Sequence, residues 1–303
     1  MESKKNRPFC FLLLLSPQMR VIMMKKNKLV APVVKWVGGK RQILDQITKY
    51  VPKAFSTYFE PFLGGGAVLF ELQPEKAVVN DVSSELINIY LVIKDNVEEL
   101  VEDLKKHQND KEYFYELRRQ DRDRMKYDRF SPVEKASRMI YLNKTCYNGL
   151  FRVNKAGEFN TPFGNYKKPN IVNESTLRAV SLYFNRARIT FTCQDFEYAL
   201  KGARRGAFVY LDPPYDPLSD TASFTGYDKG GFDRDGQMRL KKVCDKLHKK
   251  GVKFLLSNSA TDFIKDLYHN YRIEVIQAKR AINSKADRRG AIEEVLVMNY
   301  EQQ

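Results

Sequence analysis

The chain is expected to be an α/β protein with a mainly parallel sheet, an antiparallel hairpin near its carboxyl end and an inserted, mainly helical domain. Three observations predict this. From Ala31 onward short apolar runs alternate with amphipathic stretches, between Lys94 and about Pro169 the β signal disappears, and the last two apolar runs lie too close together to enclose a crossover helix. With 303 residues, 43% hydrophobic and 29% charged, the chain can bury a large core, which excludes the disordered and fibrous classes.

Taken in order, the candidate strands are Thr57 to Glu60, Ala77 to Asn80, Arg188 to Cys193, Ala207 to Leu211, Val252 to Ser257, Tyr271 to Ile276 and Ile292 to Asn299. Helical period with nearby capping residues predicts helices at Arg41 to Thr48, Ala67 to Leu72, Ser84 to Asp95 and Gly236 to Lys249. A catalytic domain is accordingly expected over 29–93 and 170–303, with the insertion at 94–169. Residues 1–28 read as an extension outside the fold. Lys4, Lys5 and Arg7 before Phe9 to Leu15 imitate a signal peptide, but the apolar run is only seven residues long and no small-x-small cleavage site follows. A membrane helix needs about 20 apolar residues, so no membrane partner and a cytoplasmic location are expected.

Charge points to the partner. Lys and Arg total 52 against 37 Asp and Glu, a formal charge of +15, as suits a chain that meets polyanions. Residues 118–170 hold 13 basic and 5 acidic side chains, which makes the insertion the natural nucleic-acid face. The run Arg118 to Arg129 taken alone reads equally well as a solvated helix surface. Cys10, Cys146, Cys193 and Cys244 form no CxxC pair and His107, His248 and His269 no HExxH spacing. Buried inert thiols, ordinary histidines, no disulfide and no metal are expected.

Two motifs carry chemistry. The apolar run Phe208 to Leu211 ends in Asp212-Pro213-Pro214-Tyr215, and ligands of open α/β sheets bind at the carboxyl ends of strands. The prolines preset the loop. An exocyclic amine of a base is a poor nucleophile because its lone pair is delocalised; a carboxylate and a main-chain carbonyl, each accepting one N–H, favour the pyramidal nitrogen that can attack. Tyr215 would stack on the base. The second motif, Phe59-Glu60-Pro61-Phe62-Leu63-Gly64-Gly65-Gly66, is a strand, a glycine loop and a helix start. It lacks GxGxxG spacing, and neither it nor Gly38-Gly39-Lys40 fits a P-loop. Asp81 ends the next strand about 20 residues after Glu60, where an acid commonly meets a ribose hydroxyl.

With these motifs in place the chain resembles the DNA adenine-N6 methyltransferases of the Dam and DpnII type, the group alpha enzymes with a DPPY motif. Lys35 to Arg41, the glycine loop, Val79-Asn80-Asp81, Leu142-Asn143-Lys144, Asn148 to Arg152, Glu158 to Gly164, Cys193 to Phe196, the DPPY loop and Leu256 to Ser259 follow that family's order over residues 35 to about 299. The resemblance implies a Rossmann-like, S-adenosylmethionine-dependent methyltransferase sheet and no metal. It implies cofactor contacts from Trp36, Gly38, Gly39, Lys40, Glu60, Pro61, Phe62, Gly64, Gly66, Asp81, Asp195, Phe196 and Asp212, with Asp212, Pro213, Pro214 and Tyr215 catalytic. Direct in-line transfer to N6, without a covalent enzyme intermediate, goes with that set.

By the same resemblance Lys35, Asn148, Arg152, Asn160, Pro162 and Tyr166 face double-stranded DNA, and the expected site is GATC. Arg152 is the candidate for guanine, with a phosphate anchor as its other reading. The target adenine must be flipped out of the duplex. The loop Ser219 to Gly236 would close over it, and the basic segment Lys279-Arg280 to Arg288-Arg289 reads either as a backbone contact or as a solvated loop. A setting with a companion restriction endonuclease acting separately on the same site and an orphan or phage-encoded setting both fit. N4-cytosine methylation faces the same amine problem but matches the motifs less well. A protein or small-molecule methyltransferase would not need the basic insertion, and a non-catalytic DNA-binding regulator would not need an intact DPPY.

Overall fold

A computed structural model describes residues 26–218, 232–279 and 291–301. Seven strands, β1 Tyr58–Glu60, β2 Lys76–Asn80, β3 Arg188–Thr192, β4 Phe208–Leu211, β5 Lys253–Ser259, β6 Arg272–Lys279 and β7 Ala291–Met298, form one sheet in the order β3-β2-β1-β4-β5-β7-β6. The first five in that order are parallel; β7 runs antiparallel to both β5 and β6. The parallel sheet and the carboxyl-terminal hairpin expected from the sequence are both present, and β7 lies between β5 and β6, which leaves β6 at the edge.

The helices are α1 Leu44–Tyr50, α2 Ala67–Leu72, α3 Ser84–Asp95, α4 Val97–Lys105, α5 Lys111–Arg119, α6 Arg124–Tyr127, α7 Pro132–Thr145, α8 Glu174–Arg186, α9 Phe196–Ala199, α10 Arg234–Lys249 and α11 Asp262–Leu267. Their starts follow local chemistry. Ser83 and Asp110 cap α3 and α5, Ser131 and Glu134 form a reciprocal capping box with Pro132 at the first position of α7, and Asp233 caps α10 through Gly236 N. α10 therefore begins two residues before the glycine from which its period was read.

Strand alternation sends side chains to two cores. Tyr58, Phe208, Tyr210, Leu255 and Leu296 join residues of α1 to α5, α7 and α8 on one face; Phe59, Val209, Leu211, Phe254 and Leu256 join α10 and α11 on the other. β4 lies at the centre and all four of its residues are buried, the mark of a parallel strand covered on both faces. The first core runs without a break into Phe114, Phe151 and Phe159 of the segment 94–169. Lys26 and Asn27, read as part of an extension outside the fold, are tied to it: Lys26 pairs with Glu71 at 2.6 Å, and Asn27 exchanges hydrogen bonds with Gln73 at 3.1 and 3.0 Å. No helix among the described residues is long and apolar enough to cross a membrane.

Candidate active site

β1 and β4 are neighbours in the sheet, but their pairing ends at Phe59 opposite Val209. That register ends where the order of connection reverses, which sets Glu60 and Asp212 at the carboxyl ends of adjacent strands, the place of the ligand crevice in an open α/β sheet. Asn80, at the end of β2, fixes the neighbouring loops to one another. Its amide donates to Pro61 O (3.0 Å) and Gln194 O (2.9 Å), and its Oδ1 accepts from Thr192 Oγ1 (2.8 Å) and Gln194 N (3.0 Å).

Asp212 is held from one side. Lys40 Nζ lies 2.8 Å from its Oδ1 and Ser257 Oγ donates to the same oxygen at 2.9 Å, while Tyr210 OH, 3.0 Å from Ser257 Oγ, completes a buried relay. Oδ2 has no hydrogen-bond partner among the described residues and remains an acceptor. Burial pushes the Asp212 carboxyl up from its ordinary value, and Lys40 and Ser257 pull it back only in part. Lys40 reaches this place from a tight turn, with Gly38 at φ +75° and its carbonyl 2.6 Å from Nζ. The same ammonium stands 4.5 Å from the centre of the Tyr215 ring. Pro213 is buried and Pro214 exposed. The Pro214 carbonyl accepts from Gln237 Nε2 at 2.8 Å, and Asn258 binds both Gln237 and the amide of Asp216 (3.1 and 3.0 Å), so the loop after β4 is pinned to the end of β5.

Glu60 is 2% exposed and accepts from Tyr58 OH at 2.9 Å. Burial raises its pKa well above the usual carboxylate range, the Tyr58 hydroxyl opposes this, and Asp212 and Asp81 add to it. No cation lies within ion-pair distance of Glu60 among the described residues. Asp81 accepts from Gly64 N and Ser83 N, each at 2.9 Å, which closes the glycine loop onto the end of β2. Gly64 has φ +48°, and a Cβ there would stand 2.9 Å from Trp36 Cδ1, so the loop is moulded to the indole. Trp36 in turn stacks on Phe151 at 4.7 Å. Phe62 and Phe196 pack at 5.4 Å. Both oxygens of Asp195 are engaged, one capping α9 through Glu197 N (2.9 Å) and the other paired with Arg239, whose guanidinium also covers Phe196 at 4.5 Å.

Lys35, Asn148, Arg152, Asn160, Pro162 and Tyr166 lie around the loops that follow α7. Asn143 clasps the backbone of Lys35 through N and O, each at 2.8 Å, and donates to Gly149 O at 3.1 Å. Lys35 Nζ stands 5.9 Å from the Tyr166 ring centre. Asn148 adopts φ +56°. Arg152 and Asn160 face each other across the antiparallel bridge Val153 to Phe159, with Arg152 Nε donating to Asn160 Oδ1 at 2.8 Å. Tyr147 N donates to Pro162 O at 2.8 Å, and the Tyr147 ring is exposed beside Asn148.

The charge run behind these loops is divided between inward hydrogen bonds and solvent. Arg118 donates to Thr161 O (3.2 Å), Arg122 to Phe159 O (2.7 Å) and Arg124 to Ala156 O (3.2 Å). These three guanidiniums brace the carbonyls of the 152–161 hairpin, while Arg119, Arg124, Lys126 and Arg129 are exposed, as a solvated surface would have them. Among the other expectations, Cys146 and Cys244 are buried but Cys193 is exposed. His107 bonds Tyr113 and Ser137 at 2.7 and 2.9 Å, and burial lowers its pKa to about 4. No group of three or more metal-ligating side chains occurs among the described residues. The loop Ser219 to Gly236 up to residue 231, and Arg280 to Arg289, lie outside the described residues.

Glycine loop and DPPY loop, set at the ends of adjacent strands across the switch point, define a methyltransferase of the α/β class. Comparison with known proteins agrees. The chain belongs to the family described as D12 class N6 adenine-specific DNA methyltransferase, whose model matches residues 36–282. It is 46% identical over 281 residues to the type II methyltransferase M1.LlaDCHI of Lactococcus lactis subsp. cremoris, covering 92% of this chain and 99% of that protein. Over 291 residues it is 43% identical to the type II methyltransferase M.MjaIII of Methanocaldococcus jannaschii, with 89% and 99% covered. A DNA adenine methylase of Escherichia coli K12 is 32% identical over 279 residues, with 91% and 96% covered. The protein is thus an adenine-specific DNA methyltransferase, as the resemblance implied.

Sequence reasoning left three contributors unassigned. Ser257 and Asn258 stood in a matched motif without a role, and Glu294, which accepts from Tyr215 OH at 2.8 Å, was not singled out. Its signal is slight, a charged residue at the margin of the apolar run Val295 to Met298.

Proposed function

We propose that this enzyme transfers methyl from S-adenosylmethionine to N6 of an adenine flipped out of duplex DNA at GATC. The observation that carries this is Asp212, fixed through Oδ1 by Lys40 and Ser257 with Oδ2 left as an acceptor at the mouth of the crevice. When bound, the cofactor supplies an electrophilic methyl on a sulfonium. Its fit rests on Glu60, a buried carboxylate with no cation beside it, and on a glycine loop with no phosphate-binding chemistry, for a molecule that carries an ammonium, a sulfonium and no phosphate.

Asp212 Oδ2 and the carbonyl of Pro213, the one of the two proline carbonyls that Gln237 does not occupy, each accept a hydrogen bond from one N6–H, and Asp212 lies where the single proton released on transfer would go. The amine then becomes pyramidal and its lone pair turns toward the donor. Tyr215 holds the base face, and the strand ends exclude water from beneath it. Residues 29–93 and 170–303 do the chemistry, and 94–169 reads the site.

Arg152 donates to Asn160 through Nε alone, which leaves both terminal nitrogens for O6 and N7 of guanine. Arg152→Ala should therefore lower discrimination between GATC duplexes and duplexes substituted at the guanine by roughly 10- to 100-fold. Steady-state rates on a panel of single-base variants measure this. Unchanged discrimination with uniformly weaker binding would make Arg152 a phosphate anchor. Binding should also weaken steeply with salt through release of condensed counterions; a flat response would remove the basic insertion from the DNA interface.

A further inference from the structure

The antiparallel strand β7 contributes to the active site from beyond residue 282, where the family match ends. Glu294 sits opposite Ser259 of β5 and Ile276 of β6, and its Oε2 accepts the hydroxyl of Tyr215 at 2.8 Å. It is half-buried. Lys40 acts on it electrostatically, as it does on Asp212, so the acid, the lysine, the tyrosine and this second carboxylate form one connected group. Burial and the neighbouring Asp212 hold the Tyr215 phenol far above its ordinary value, so it remains a donor.

We infer that Glu294 is a positioning residue for the flipped adenine, acting through Tyr215. The backbone of the loop is already fixed at Pro214 and Asp216 by Gln237 and Asn258, but a tyrosine ring held only at its backbone still turns about χ1 and χ2. A hydrogen bond at the far end of the ring removes that freedom before substrate arrives. The face that stacks on the base is then preset, and the ordering cost is not charged to base binding. A carboxylate is the stronger acceptor for a phenol, since bonds to charged groups are about twice as strong as neutral ones. The antiparallel insertion of β7 beside β5 is what brings this residue under the loop.

This inference rests on the flipped-adenine reading above, and the test separates the two. Wild type, Glu294→Ala, Glu294→Gln, Tyr215→Phe and the Glu294→Ala/Tyr215→Phe double variant are compared on GATC duplexes carrying 2-aminopurine at the target position and on unlabelled duplexes. Glu294→Ala should lower kcat about tenfold or more, leave the KM for the methyl donor unchanged and reduce the 2-aminopurine signal. Tyr215→Phe should show the same loss, the double variant no more than either, and Glu294→Gln, which keeps a carbonyl acceptor, should recover most of the rate. A wild-type signal that Glu294→Ala leaves intact, multiplicative losses in the double variant, or Glu294→Gln as impaired as Glu294→Ala would overturn the role. Absence of any signal in the wild type would instead overturn the flipped-adenine reading and this inference with it.

Discussion

Asp212→Ala is expected to lower kcat by at least about 10³-fold, or roughly 4 kcal/mol of transition-state stabilisation, while DNA affinity stays within a few-fold. The size follows from what the carboxylate does. In the proposed mechanism its second oxygen is one of two acceptors that turn a delocalised amine into a nucleophile, and Asp212 is the carboxylate that Lys40 and Ser257 hold there. Removal also strands Lys40, whose side chain is 7% exposed and would lose its anion, so some loss of stability accompanies Ala. Asp212→Asn separates the effects. It keeps a neutral oxygen for Ser257 and Lys40 but sets an N–H where N6 needs an acceptor, so turnover should fall nearly as far with a smaller change in Tm. Single-turnover methylation alongside a DNA-binding titration reads both, and a variant that retained full turnover would end the assigned role.

Asp121→Ala carries the second large effect, on stability and recognition rather than chemistry. Asp121 is 3% exposed and accepts from Phe159 N at 2.8 Å, pairs with Arg138 at 3.0 Å and also with Arg122. Arg138 is 2% exposed, with Nε on Leu117 O at 2.8 Å and one terminal nitrogen on Arg118 O at 3.0 Å. Deleting one member of a buried ion pair leaves the other charge uncompensated, at about 3–5 kcal/mol. Glu85, attracted electrostatically to the same guanidinium, brings the expectation to the lower end of that range. Because Phe159 N loses its acceptor too, the 152–161 hairpin should loosen and site discrimination decline. Urea denaturation of Asp121→Ala and of Asp121→Leu/Arg138→Met tests this. The apolar double variant should be the more stable of the two, and the reverse order would mean that the pair contributes through geometry alone.

These two residues also show what was legible in the chain. Asp212 was readable because a buried central strand is a continuous apolar run and its end is marked by two prolines and an aromatic. Glu60 and Asp81 were readable for the same reason: strand ends are where the glycine loop and the acids must stand. The arginines near Asp121 were not. A charge run records how many cations a segment holds, not whether their guanidiniums turn inward to carbonyls that the same segment leaves unpaired. Arg118 and Arg122 bond carbonyls of the hairpin and Arg138 holds the Asp121 that accepts from Phe159 N, so part of the local basic excess is engaged within the segment. Glu294 was hidden by topology. Its strand lies 79 residues beyond Tyr215, and only the antiparallel entry of β7 beside β5 places it there. Lys26 and Asn27 looked like tail because their partners Glu71 and Gln73 are 45 and 46 residues away.

The crevice between Glu60 and Asp212 is proposed to methylate adenine N6 in a defined duplex site. Incubation with S-adenosylmethionine labelled in its methyl group and duplexes containing GATC or a one-base variant, followed by mass spectrometry of the nucleosides, tests it most directly. N6-methyladenine confined to GATC, and lost with Asp212→Ala, is the expected product. Methylcytosine, or label spread evenly over the variants, would contradict it.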